Sequence, residues 1–134
     1  MDAGTLAPMD AKIRASMVVK QAAKIGIELD YSPESLTHID TIIDKDRQVG
    51  IGMTDDMKIE LTSLAAYVGE VMIRNMNAKW ARGVETPTQD PLLILVDEKY
   101  AINVVSMVMR RFASGEPASV AKMYKETEKL RAEA

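Results

Sequence analysis

The feature that most constrains the fold of this chain is the stretch from Thr54 to Met76, which reads as one long helix with apolar side chains on almost every side. Thr54 suits the N-cap position, and Asp55 and Asp56 suit the positive end of the helix dipole. A helix that is apolar all round has to be surrounded by other elements of the fold. The sequence therefore predicts that this helix is the central one of a small domain, enclosed by the rest of the chain.

Two residues inside the predicted central helix are unusual there. Gly69 lowers helix stability by about 1 kcal/mol relative to alanine, so we expect another backbone, such as a crossing strand, to approach closely at that point. Glu70 is a carboxylate between apolar neighbours, and such a group has to be paired, exposed or shifted in its pKa. We interpret it as paired, either with Arg74 one turn later or with a backbone group or Trp80. The alternative is a general acid or base in a pocket.

Shorter helices are predicted before and after the central one, from capping residues and from apolar side chains at helical spacing. Gly26 suits a left-handed helix stop, while Ser32 and Asn103 suit N-caps. The predicted helices cover about 11–25, a short stretch from 33, 104–112 and 118–131. The side chains expected to face the core are Ile13, Met17, Val18 and Ala22 in the first, Leu36, Ile39 and Ile43 in the second, and Val120, Met123, Tyr124 and Thr127 in the last.

Three extended segments predict a small antiparallel sheet. Lys79–Gly83 carries Trp80, Leu92–Val96 is a continuous apolar run, and a turn at 97–99 returns the chain into Tyr100–Ile102 as a hairpin. We therefore predict an α+β fold in which a long central helix packs on a small antiparallel sheet with a β-hairpin, flanked by shorter helices. The chain is expected to form a single domain over 1–134, with loose termini at 1–9 and 128–134. Trp80, if buried, would lock the sheet to the central helix.

Composition narrows the classes of function. The chain has no cysteine, which excludes disulfides, thiol catalysis and thiolate metal sites. A net charge of −3 argues against a dedicated nucleic-acid binder, because such domains usually carry a basic face. No run reaches the roughly 18 to 20 apolar residues that a membrane span needs, and basic residues interrupt 1–26, so no signal peptide is predicted. We expect a cytoplasmic protein with no nucleic-acid or membrane partner.

The acidic region around 44–56 and the single histidine, His38, are the first candidates for chemistry. The polar run Asp44–Gln48 follows the apolar face of a short second helix and leads into a flexible connection at 49–52. Asp44-Lys45-Asp46 begins a calcium-loop pattern, but Arg47 and Gln48 do not continue it. A lone histidine has no partner ligand, and we expect His38 at the surface. The sequence therefore predicts no bound metal and no cofactor.

A short basic run, Arg110-Arg111, is the other candidate. With Lys122 and Lys125 it would form a patch for a phosphate or an acidic peptide, because guanidinium groups match those anions. The alternative is that these arginines simply favour the negative end of a helix dipole.

The second half of the chain resembles a family of small bacterial domains of unknown function. The resemblance rests on the order of four pieces that the family shares. These are Tyr67-Val68-Gly69-Glu70 followed by Trp80, the strand Leu92–Val96, the run Tyr100-Ala101-Ile102-Asn103, and Arg110-Arg111 with Gly115, Ser119 and Tyr124. With the opening Leu29-Asp30-Tyr31-Ser32 it spans roughly 29–124. The chain departs from the family pattern at Val104 and Val105. The resemblance implies a helix-and-hairpin fold and no established reaction, and it marks Glu70, Trp80, Asn103 and Arg111 as positions that recur.

Three functional hypotheses follow. The first is a non-catalytic protein-interaction or regulatory domain, with Met53–Met57 and Glu85–Asp90 as exposed candidate surfaces. The second is an immunity or inhibitor protein that binds a basic partner through the acidic region of 44–56. The third is a small hydrolase or ligand-binding domain that uses Glu70 and Arg111. Ten methionines are expected mostly in the core, and a homodimer through an exposed methionine-rich stretch is the remaining alternative.

Overall fold

The computed structural model describes residues 8–82, 92–115 and 118–133. Within these ranges the chain forms five α-helices and three strands, and a one-turn 3-10 helix at Pro33–Ser35 precedes the second helix. The α+β prediction is confirmed, with the longest helix packed on the sheet. The elements in chain order are α1 Pro8–Lys24, α2 Leu36–Val49, α3 Asp55–Asn75, β1 Ala78–Arg82, β2 Leu92–Val96, β3 Tyr100–Ile102, α4 Val104–Ser114 and α5 Val120–Glu133.

The sheet is antiparallel with strand order β1-β2-β3. Its register places Trp80 opposite Ile94 and Ile94 opposite Ile102. The predicted hairpin between β2 and β3 is confirmed, and its turn has positive φ at both Asp97 and Glu98, as the type I′ hairpin turn requires. Ile94 on the middle strand is fully buried, so one face of the sheet belongs to the core.

Helix α3 begins as predicted and is enclosed over only part of its length. Thr54 accepts a hydrogen bond at its side-chain oxygen from the Met57 N–H at 3.1 Å. From Leu61 to Met72 the helix is buried at every position except Ser63. Its first turns, 55–60, are exposed apart from the half-buried Met57. The prediction of an enclosed central helix therefore holds for 61–72 and is wrong for the first turns.

Helix α1 packs along α3 through small side chains. Its buried positions are Ala11, Ala15 and Ala22, whereas Ile13 and Met17 are more than half exposed. The prediction that Ile13 and Met17 face the core is therefore wrong. Alanines at the contact let two helices approach closely, so the larger side chains of α1 lie on its outer side.

The predicted helix start at Ser32 and Pro33 forms the 3-10 turn Pro33–Ser35, and α2 follows it from Leu36 and includes the polar run. Ser32 accepts at its hydroxyl oxygen from the Ser35 N–H at 3.2 Å, and Leu36, Ile39 and Ile43 are buried as expected. The polar run Asp44–Gln48 is helical, and the helix ends only at Gly50, whose φ is 77°. Two of its charged side chains, Asp44 and Arg47, are bound by α4, which favours the helical conformation of the run.

The C-terminal elements largely follow the sequence. Asn103 caps α4 by accepting at Oδ1 from the Ser106 N–H at 2.8 Å. The expected face of α5 is buried and consists of Val120, Met123, Tyr124 and Thr127. Helix α5 continues to Glu133, where the sequence predicts a loose end, and its Arg131 donates from Nε to Asp97 Oδ2 at 2.9 Å. No helix in the described parts of the chain is both long and apolar enough to cross a bilayer.

Candidate functional site

Glu70 is a buried carboxylate with a defined partner on the sheet. It is 2% exposed, and its Oε2 accepts a hydrogen bond from the indole Nε1–H of Trp80 at 2.9 Å. Of the pairings considered from the sequence, the structure shows the one with Trp80. The bond joins the enclosed part of α3 to β1, and a satisfied buried acceptor of this kind specifies how two elements pack.

Gly69 is required by the same tryptophan. A Cβ atom built at this position would overlap the six-membered ring of Trp80. The sequence predicts a close approach here, which is confirmed, but the approaching group is a side chain and not a crossing backbone. Gly69 and Glu70 thus provide space and a hydrogen-bond acceptor for one indole ring.

Arg74 lies over the ring of Tyr31, which is itself in contact with the ring of Tyr67. The Arg74 guanidinium carbon lies 3.6 Å from the centre of the Tyr31 ring, the geometry of a cation–π contact, and no ion pair joins it to Glu70 among the described residues. The Tyr67 hydroxyl accepts from the Tyr31 N–H at 2.9 Å and lies 2.6 Å from Ser35 Oγ. Burial raises the pKa of both tyrosines, and the Arg74 charge opposes the rise at Tyr31.

Arg111 is fixed between three helices. Its Nε and Nη2 donate to the two carboxylate oxygens of Asp44 at 3.0 and 2.7 Å, and its Nη1 donates to the Ala118 carbonyl at 3.0 Å. Arg111 is 8% exposed. The prediction that Arg111 contributes to a surface basic patch is therefore wrong, because the two-pronged Asp44 contact uses its fork in an internal ion pair. Arg110 beside it is exposed.

Asp40 performs a capping role that crosses between helices. Its Oδ1 accepts from the Val120 N–H at 2.9 Å, and its Oδ2 accepts from the Ser119 hydroxyl at 2.7 Å and the Ala121 N–H at 3.3 Å. The two N–H groups belong to the first turn of α5, where backbone donors have no partner within the helix. Asp40, Asp44 and Arg47 lie on one face of α2, and the Arg47 Nε donates to the Phe112 carbonyl at 2.7 Å. This face explains why α2 extends through its polar run.

Asp46 and Glu60 are two acidic side chains that contact each other across helices. Glu60 on the exposed first turns of α3 meets the half-buried Asp46 of α2, and the two carboxyl groups are within hydrogen-bonding contact. The contact with Asp46, together with burial, raises the pKa of Glu60 from 4.5 to about 7. Asp46 Oδ2 is closed to solvent and receives no hydrogen bond from any donor. The pair is thus short of one proton donor when both groups are ionised.

The same end of the molecule carries exposed apolar side chains. Four of them fall between residues 49 and 59, in the connection from α2 to α3 and the start of α3, and acidic residues flank them in the chain. We name this region the α2–α3 surface. Its apolar members are Val49, Ile51, Met53 and Ile59, and its acidic members are Asp46, Asp55, Asp56 and Glu60.

The residues proposed for chemistry do not form one site. Glu70 contacts the sheet, whereas Arg111 contacts α2 and Ala118, two residues before α5. No hydrogen bond or ion pair joins Glu70 and Arg111 among the contacts of the described residues. A shallow depression lined by Asn77, Lys79 and Glu98, with Ala78 and Leu95, includes neither. Asn103 is a helix cap and His38 is exposed. The candidate loop Glu85–Asp90 lies outside the described residues.

Sequence reasoning missed Asp40 and Glu60. The signal for Asp40 was its spacing of four and seven residues from Asp44 and Arg47, which places all three on one helical face. Glu60 had no local signal, because its partner Asp46 comes from another helix. Within the described ranges no group of three or more histidine, aspartate or glutamate side chains is arranged to hold a metal ion.

Comparison with known proteins gave no match to this chain among family models, curated proteins or solved structures. The resemblance to small uncharacterised bacterial domains therefore stays a prediction. Three of the residues on which the resemblance rests, Gly69, Glu70 and Trp80, pack together in the structure.

Proposed function

We propose that this protein is a non-catalytic protein-interaction or regulatory domain that contacts its partner through the α2–α3 surface. The observation that carries the proposal is the cluster of four exposed apolar side chains within residues 49–59, which includes Ile51 at 62% and Met53 at 50% exposure. Single exposed apolar residues are ordinary on a protein surface. Several on one connection, next to the exposed first turns of the longest helix, favour a contact surface.

The chemistry of the surface also describes its partner. Val49, Ile51 and Met53 alternate with Gly50 and Gly52, both at positive φ, so apolar side chains project from a tight backbone. Methionine adapts its shape to different apolar partners. Carboxylates flank this apolar segment on both sides in the sequence. We therefore infer a partner protein with an apolar groove bordered by lysine or arginine side chains.

The buried ionisable side chains are also consistent with a non-catalytic domain. Glu70 is bound by Trp80, Arg111 by Asp44, and Asp40 by the start of α5. Each of these side chains stabilises the fold through partners in the chain itself. Their contacts give no support to the hydrolase hypothesis.

The experiment compares two double variants that are chemically alike. Ile51→Ser with Met53→Ser alters the α2–α3 surface, and Ile13→Ser with Met17→Ser alters the exposed side of α1. Both pairs remove one isoleucine and one methionine of similar exposure. A tagged wild-type protein is expected to retain a stoichiometric partner from its native cell that the first variant loses and the second keeps. Equal retention by all three proteins would contradict the proposal.

The second hypothesis is that this protein is an immunity or inhibitor protein that binds a basic partner. Its supporting observation is the exposed acidic pair Asp55 and Asp56 at the start of α3. If the partner is basic, Asp55→Asn with Asp56→Asn should lower the association rate and make it less dependent on salt concentration. Unchanged association rates at low salt would exclude this form of the proposal.

A further inference from the structure

The contact between Asp46 and Glu60 links the two helices that flank the apolar connection. Asp46 lies in the last turn of α2, and Glu60 lies in the second turn of α3. Their carboxyl groups are in hydrogen-bonding contact, and Asp46 Oδ2 is closed to solvent without a donor. Two ionised carboxylates in this position repel each other, whereas one shared proton supplies the missing O–H donor.

The surrounding charges do not replace that proton. Among the described residues no cation forms an ion pair with either carboxylate. On α2, Asp44 is bound by Arg111 and Arg47 by the Phe112 carbonyl. The remaining charged or titratable groups of the helices that carry the pair or pack along α3 are Asp10, Lys12, Arg14, Lys20 and Lys24 on α1, His38, Asp40 and Lys45 on α2, Asp55, Asp56, Lys58, Glu70 and Arg74 on α3, and Arg110 on α4.

We propose that Asp46 and Glu60 form a proton-operated latch, which holds the end of α2 against the start of α3 when the two carboxyl groups share a proton and releases it when both are ionised. Release changes the conformation of the connection 50–53, whose backbone depends on Gly50 and Gly52 at positive φ. The latch is a property of the isolated protein. Its consequence, control of partner binding by pH at the α2–α3 surface, rests on the proposed function.

The direction of the pH effect follows from the raised pKa. Glu60 has a pKa of about 7 in the folded protein against 4.5 in an unfolded chain. The folded state therefore binds the proton more tightly, and this contribution to stability is complete below pH 4.5 and is lost as the pH rises through about 7. The latch is closed in mild acid and open above neutrality.

The test is a carbon-detected NMR titration of the Glu60 carboxyl group between pH 4 and 9. The protein carries His38→Gln, which removes the only histidine of the chain, a residue on α2. We expect a Glu60 midpoint near 7, with the amide signals of Gly50 and Gly52 moving at the same midpoint. Asp46→Asn should lower the Glu60 midpoint toward 4.5, because it removes the charge and contact that contribute most to the raised pKa. Glu60→Gln should remove the pH dependence of the two glycine signals.

Two results would overturn the latch. One is a Glu60 midpoint near 4.5 in the folded protein with Asp46 intact. The other is glycine signals that do not move as Glu60 titrates, since the pair would then share a proton without acting on the connection. Neither measurement involves a partner. A failed latch with partner loss in Ile51→Ser/Met53→Ser would leave the proposed function standing, and the reverse pattern would leave the latch standing.

Discussion

Helix α3 carries two glutamates, Glu60 and Glu70, in opposite situations. Glu70 lies in the enclosed part of the helix, and its carboxylate accepts a hydrogen bond from Trp80. Glu60 lies on the exposed first turns, and its carboxyl group faces another acid, Asp46. A buried acid with a matched donor stabilises one packing arrangement. An acid paired with an acid stabilises a contact only while a proton is present, so its state depends on the solution.

The contrast extends to the two parts of the molecule. Around Glu70, and around Asp40 and Arg111, polar side chains are bound by neighbouring elements and fix how those elements pack. Around Glu60, apolar side chains are exposed and a carboxyl pair lacks a donor. The first part is built for stability, and the second departs from the usual rules of burial and pairing. Such departures concentrate where proteins function.

The largest effect is expected from Trp80→Ala. Trp80 is half-buried and packs against the core. Removing the indole opens space against Gly69 and leaves Glu70 buried without its donor, so the free energy of unfolding should fall by about 3 kcal/mol, the lower end of the range for a truncated tryptophan. Urea unfolding measures the loss. Trp80→Phe is the control, because it keeps an aromatic ring and removes the N–H. A variant Trp80→Ala with an unchanged melting temperature would refute the packing role of this residue.

A smaller loss is expected from Asp40→Ala. The substitution removes three hydrogen bonds to the start of α5, and the expected cost is about 2 kcal/mol, as for hydrogen bonds to charged groups. Ser119→Ala removes one of these bonds together with the bond that the Lys122 N–H donates to Ser119 Oγ, and it should cost less because Asp40 keeps its two bonds to backbone N–H groups. Hydrogen exchange of the first amides of α5 locates the effect. If the exchange rates of these amides in Asp40→Ala match the wild type, Asp40 does not cap α5.

Tyr67→Phe should cost about 1 to 1.5 kcal/mol. The Ser35 hydroxyl donates to the Ser32 carbonyl at 2.6 Å, so the Tyr67 hydroxyl donates to Ser35 and accepts from the Tyr31 N–H. Phenylalanine fills the same space and breaks both bonds. Denaturant unfolding gives the size of the loss, and Tyr124→Phe is a matched control at another buried tyrosine. A cost no larger than the control would show that the bonds at Tyr67 contribute nothing.

Glu60→Gln should stabilise the protein, in contrast to every variant above. The amide donates permanently to Asp46, so unfolding at pH 8 should require more denaturant, by less than about 1 kcal/mol because the pair is partly exposed. At pH 4.5 the gain should shrink, since the acid is then protonated in the folded wild type. Equal or lower stability of the variant at pH 8 would contradict the account of the pair.

The smallest effect on stability is expected from Ile51→Ser with Met53→Ser. Both side chains are at least half exposed, so the free energy of unfolding should change by no more than about 0.5 kcal/mol per substitution. Thermal unfolding checks this expectation. A loss of several kcal/mol would mean that these side chains pack against the core and do not form a free surface.

The sequence predicted elements where the deciding signals are local. Thr54, Ser32 and Asn103 cap helices as expected, and the β2–β3 hairpin follows from a short apolar run and a turn. The prediction for α1 was wrong because helical spacing identifies an apolar face without saying whether alanines or larger side chains make the contact. The sequence does not show that α4 binds the polar run of α2, because Arg111, which binds Asp44, is far away in the chain.

The candidate sites show the same limit. Glu70 was identified from its apolar neighbours, and Trp80 was among its expected partners. The basic patch was wrong for Arg111, since sequence alone does not show which charged side chains meet across elements. The Asp46–Glu60 contact joins two acids, a pairing that no rule of complementary charge would have suggested.

The central claim is the proposal that the α2–α3 surface, and not the buried carboxylate Glu70, carries the function. The most direct test is partner retention by wild type, Ile51→Ser/Met53→Ser and Ile13→Ser/Met17→Ser, in proteins shown to have equal melting temperatures. The account predicts that only the α2–α3 surface variant loses the partner. Retention by that variant at the wild-type level, with a partner present, would contradict it.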